Sequence, residues 1–152
     1  MAFRFTLEAV LRYRRSLEDR EQTRLQALLV RRAGLQAQLQ RNRQAQMQLQ
    51  QELHQELQGA PRLAREIHLS VAGLRAVEQR EVFLQSQMQP LQAEIAAQTA
   101  RYRQERRKRE LLESLRDTQL GDYRRQQQRR QQAMLDELYL LRRGRGQAGL
   151  AQ

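Results

Sequence analysis

Apolar residues recur at every third and fourth position along two long stretches of this chain, and one short break separates them. The first stretch opens differently: Phe3, Phe5 and Leu7 alternate with polar residues before Val10 and Leu11 take up helical spacing. A seam runs through Phe3, Leu7, Val10, Arg14 and Leu17, slips, and resumes as Leu25, Leu28, Arg32, Leu35, Leu39, Asn42, Gln46, Leu49 and Leu53. The second stretch is cleaner: Leu63, Ile67, Ser70, Leu74, Val77, Glu81, Leu84, Met88, Leu91, Ile95, Gln98 and Tyr102, nine of them apolar. Spacing of this kind aligns one face of an α-helix along a partner helix. The other faces carry mainly Gln, Arg and Glu, as a helix pair wet on its outside requires.

Between the stretches stands Gly59-Ala60-Pro61. Glycine suits a left-handed cap after a helix, and proline suits the first turn of the next. The pattern therefore predicts an all-α fold: an antiparallel two-helix coiled-coil hairpin with unequal arms. The expected elements are helix 1 over about 3–57, a bend at 58–61, helix 2 over about 62–143 and a frayed tail at 144–152, in a single elongated domain. Pro90 costs a helix interior about 3 kcal/mol, yet Met88, Leu91 and Ile95 keep phase across it, so a bend in the longer second helix is expected there.

Pairing residue i with about 120 minus i sets Phe3 near Asp117 and leaves helix 2 alone beyond that point, an overhang of roughly 40 Å at 1.5 Å per residue. Met134, Leu135, Leu138 and Leu141 form an apolar stripe on it, with Tyr139 and Leu140 alongside. An exposed stripe on a lone helix calls for a partner.

Composition sharpens this picture. Arg and Gln, 27 of each, and 25 Leu dominate the 152 residues, with two Pro and no Trp, a mixture of helix formers. A mean hydropathy of -0.89 argues against a thick globular core. There is no cysteine, hence no disulfide framework or thiolate metal site. No apolar run approaches the roughly 20 residues needed to cross a bilayer. The arginine-rich start resembles a transit peptide only in part, because Glu8, Glu18, Asp19 and Glu21 come early and no Ser-rich stretch follows.

The net charge of +11 points to an acidic partner, and the excess grows toward the C-terminus, where residues 105–152 carry 12 bases against 7 acids. RYRQERRKRE at 101–110 and RRQQQRR at 124–130 are candidate phosphate-contacting tracts. Acids lie among the first, and no basic-region and zipper arrangement follows either, which disfavours nucleic acid. A helical hairpin offers no pocket for converging catalytic groups. His54 and His68 flank the bend without a third ligand, and Gly144 and Gly146 follow a helix rather than precede one. A non-enzyme without metal, cofactor or small-molecule substrate is expected.

Both ends of the chain carry a resemblance. FRFTLEAVLRYRRSLEDREQ at 3–22 resembles the opening of the flagellar export protein FliJ family, in which an F-x-F-x-L-x-x-V-L-x-x-R pattern leads into the first helix. RRQQAMLDELYLLRRGR at 129–145 is similar to the family's basic, Gln-rich ending with its Leu-Asp-Glu element. With the bend after about 58 residues, the resemblance covers nearly the whole chain. It implies a component of the flagellar type III export apparatus, a coiled-coil stalk of the hexameric export ATPase that also contacts the membrane export gate protein and export chaperones. Such a protein is cytoplasmic and peripheral at the membrane through its partners. Related stalks serve injectisome secretion systems.

On that resemblance, Phe3, Phe5, Leu7, Met134, Leu135, Leu138 and Leu141 are expected to give apolar contact to the ATPase ring, and Arg129, Arg130, Arg142 and Arg143 to meet its acidic groups. Val71, Leu74 and Val77, with Phe83 nearby, are candidates for the export gate, although seam packing also accounts for Leu74 and Val77. Low aromatic content departs from the family where its contacts near the bend use aromatic residues. A basic coiled-coil nucleic-acid-binding protein is the alternative.

Overall fold

The computed structural model describes residues 3–59 and 64–148, with side chains up to Arg143. Two helices, α1 (Glu8–Gln58) and α2 (Ala64–Ala148), pack against each other as an all-α hairpin, and no strand occurs among the described residues. Glu8 and Glu66 stand in the first turns. A carboxylate there opposes the positive end of the helix dipole. Tertiary contacts divide the chain into two units, Met1–Ser16 with Arg106–Gln152, and Leu17–Glu105.

In the Leu17–Glu105 unit the core is a single line of leucines. Leu35, Leu84 and Leu91 are buried, and Leu28, Leu39, Met88 and Ile95 pack against them. Polar residues interrupt the seam at Asn42 and Gln98, and both are buried. Each reaches the backbone of the facing helix. Asn42 Nδ2 donates to the Val77 carbonyl at 2.9 Å, and Gln98 Nε2 donates to the Glu21 carbonyl at 3.1 Å and to its carboxylate. An unsatisfied buried amide costs about 1–3 kcal/mol, so a slip of either helix that broke these bonds is penalised. Both pairs lie one residue from the expected pairing. Arg43 bridges to Glu81 at 3.0 Å on the wet side of the same seam.

α2 continues through Pro90, whose ring is exposed while Leu91 beside it is buried. Gly59 follows the last residue of α1 without the left-handed φ of the expected cap. Instead Gln58 and His54 side chains meet at 2.9 Å across the final turn. Ala60, Pro61, Arg62 and Leu63 lie outside the described residues, as does the expected first-turn role of Pro61.

The unit formed by the N-terminal segment and the later part of α2 departs most from expectation. Phe3 to Phe5 is not helical, and α1 begins at Glu8 rather than near residue 3. Glu8 N–H donates to the Phe5 carbonyl in a tight turn, and Leu11 N–H donates to Leu7 to open the helix. An extended chain advances about 3.3 Å per residue against 1.5 Å in a helix. The start therefore reaches further along α2 than helical pairing predicts: Phe3 meets the ring of Tyr123, centroids 5.7 Å apart, not Asp117. Behind it Phe5 is 8% exposed and Leu11 fully buried.

Arg15 reinforces this unit. Its Nε and Nη2 donate to one oxygen of Glu113 at 3.2 and 2.8 Å, and Arg109 donates to the other. The Arg15 hydrogen bonds, aided by the nearby charge of Arg109 against a smaller effect of burial, hold the Glu113 carboxyl below its ordinary value of 4.5. A depressed carboxylate stabilises the fold above the unfolded-state pKa and loses that contribution as pH falls through the folded one. Thermal melts between neutral pH and pH below 4.5 should show a loss of stability that Glu113→Gln diminishes.

α2 also continues to Ala148, past the expected end near Arg143. Extending an existing helix is far easier than nucleating one, so loss of apolar periodicity at 144 does not by itself end it. Residues 149–152 of the expected frayed tail lie outside the described residues.

Candidate partner-binding surface

Half-buried positions on α2 in the N-terminal-segment unit run Leu112, Arg116, Leu120, Tyr123 and Gln127. From Gln128 to Arg143 every residue is exposed. This solitary arm is about 24 Å long at 1.5 Å per residue. It is shorter than the expected overhang because the non-helical start carries Phe3 as far as Tyr123.

The arm is apolar without being covered. Met134 is 67% exposed and Leu138 56%, and Leu135, Tyr139, Leu140 and Leu141 are similarly open. Leu135, Leu138, Tyr139 and Arg142 line a shallow groove of about 400 Å³. Such side chains gain roughly 1.5–3 kcal/mol each on full burial, and no described residue of this chain buries them. Arg129, Arg130, Arg142 and Arg143 are exposed, and none makes an ion pair with a described acid. The arm's acids are Asp136, which accepts from Gln132 at 3.0 Å, and Glu137.

The other residues expected at the ATPase are placed differently. Phe3, Phe5 and Leu7 are drawn into hairpin packing, Phe5 most of all. Phe3 and Phe5, with Arg4, Glu8, Arg116 and Leu120, line an open cleft of about 540 Å³. Tyr123, the residue on which Phe3 packs, was missed by sequence reasoning; it stands one half-heptad after Leu120, and continuing the 3-4 spacing past Tyr102 is the signal that could have found it.

Among the residues expected at the export gate, Val71, Leu74 and Val77 are half-buried, and the Val77 carbonyl accepts from Asn42. Phe83 stands apart from them at 58% exposed, with Val82 exposed next to it. His54 and His68, at the bend, are both exposed.

The basic tract at 101–110 is partly engaged. Arg106 pairs with Glu110 at 2.8 Å, Arg109 with Glu113, and Lys108 and Arg109 are half-buried. No helix among the described residues is long and apolar enough to cross a membrane.

Comparison with protein-family models, with curated proteins and with solved structures returns no match for this chain.

Proposed function

We propose that this chain is a non-enzymatic coiled-coil stalk of the flagellar type III export apparatus, engaging the hexameric export ATPase and linking it to the membrane export gate protein and export chaperones. The observation that carries the proposal is the arm at 128–143, exposed on every side, apolar along one stripe and bearing four exposed arginines that pair with no described acid. A ring with an apolar, acidic inner surface has the complementary chemistry. The similarity of residues 3–22 and 129–145 to the two ends of the FliJ family supplies the name of that ring. On this account the contact falls on Met134, Leu135, Leu138, Leu141 and the four arginines, while Phe3, Phe5 and Leu7 hold the base of the arm. The protein then works in the cytoplasm and at the cytoplasmic face of the membrane, held there by its partners and needed for flagellum assembly and motility. A stalk in a related injectisome system would use the same arm.

Nucleic acid is less favoured at the 101–110 tract because phosphate binding depends on available cations. Glu110 and Glu113 already engage Arg106 and Arg109 there.

Steady-state hydrolysis by the purified export ATPase, titrated with this chain, tests the proposal. The rate should rise and saturate with the chain; an ATPase indifferent to saturating protein would remove the basis for the stalk assignment.

A further inference from the structure

We infer that the arm is completed by a single acidic amphipathic α-helix of a partner protein, lying in a lane along the exposed stripe of α2 past the position where Phe3 packs on Tyr123. The phase of the seam leads to this. Leu120 and Gln127 are half-buried positions of α2 in the unit built on the N-terminal segment. Met134 and Leu141 follow them at successive steps of seven, with Leu138 between. A seven-residue repeat holds one face of a helix toward a helical neighbour. The phase of the half-buried positions therefore continues through the exposed stripe, and a seven-residue repeat is the spacing that a helical neighbour covers.

The flanks define the partner's chemistry. Arg130 lies one turn before Met134, and Arg142 one turn after Leu138, at the rim of the groove shared with Leu135 and Tyr139. Residues four apart are neighbours on a helix surface, so a guanidinium brackets the apolar stripe at each end. A partner helix of about four turns would span this length, with apolar residues at 3-4 spacing entering the lane and carboxylates on its edges meeting the arginines. A second copy of the arm fits less well. Residues 128–143 carry four arginines against two acids, so two arms together would oppose like net charge.

The inference rests on reading the arm as the partner-binding surface, but not on which export component supplies the helix. Its probe is a capped 16-residue helical peptide with leucines at 3-4 spacing and glutamates on the flanks. A scrambled peptide of identical composition is the reference, and binding to the full chain is read by fluorescence anisotropy at physiological salt. The patterned peptide should bind at least about tenfold more tightly than the scramble, and Leu138→Ser should remove most of that difference. Leu138 is exposed, so its substitution leaves the fold intact. Equal binding of both peptides, or indifference to Leu138→Ser, would reduce the arm to a charged surface and overturn the lane.

Two further outcomes also reject it. One is a dimer of the free chain, seen by sedimentation and dispersed by Leu138→Ser. The other is Leu138-dependent binding to anionic vesicles without peptide binding. ATPase activation that persists when the peptide fails rejects the lane and keeps the stalk. Peptide binding without ATPase activation keeps the lane and rejects the stalk.

Discussion

Leu91→Ala lowers the unfolding free energy by about 2–4 kcal/mol, read from urea denaturation followed by helical circular dichroism. Leu91 is 2% exposed and shares its cluster with Leu35 and Leu84, the other buried residues there. The core of the Leu17–Glu105 unit is one seam thick, so few neighbours are available to fill the space that a removed isobutyl group leaves. Partial collapse from the solvent side limits the loss to less than the deepest globular cores show. Against a typical stability of about 5–15 kcal/mol, the change is large enough to move the transition visibly. Leu135→Ala supplies the contrast. It removes the same atoms from a side chain that is 60% exposed, and exposed substitutions usually stay within about 0.5 kcal/mol. Similar losses for both variants would contradict the assignment of the core to one seam.

Ending the chain at Gln127 should leave its stability near that of the full protein and abolish partner binding. Among the described residues, every buried or half-buried position lies at or before Gln127. Tyr123, against which Phe3 packs, and Leu120, which lines the cleft beside Phe5, are both retained. Cutting nearer the expected overhang, at 117, would remove both and unsettle the N-terminal packing together with the arm. The cut at 127 therefore separates folding from binding. Thermal melts that match within a few degrees, with lost ATPase binding, are the expected pair of results. A large drop in melting temperature would mean that the arm helps hold the fold.

Much of this architecture was legible in residue spacing. The run Leu84, Met88, Leu91, Ile95 reads as a seam and is one, because a 3-4 repeat in a helix has one face to bury. Asn42 and Gln98 read as defects in the pattern. The structure shows them reaching the opposite backbone, information that periodicity alone does not contain because it depends on which carbonyl lies across the pair.

The clearest miss is at the start. Phe3, Phe5 and Leu7 alternate as an extended segment does, but Phe3 and Leu7 also suit a helical seam. Treating them as helix displaced Phe3 by six residues along α2 and lengthened the overhang. The apolar stripe of the arm was visible as residues without a facing helix. Its groove was less so, because the grouping of Leu135, Leu138, Tyr139 and Arg142 around one hollow depends on side-chain placement that spacing does not carry.

On the proposed function, residues 128–143 join this chain to an export ATPase. Isothermal titration of the purified ATPase with the full chain and with the chain ending at Gln127 is the decisive measurement. The full chain should bind saturably and the shortened one not at all, both remaining helical. Binding of equal affinity by the two chains would contradict the proposal.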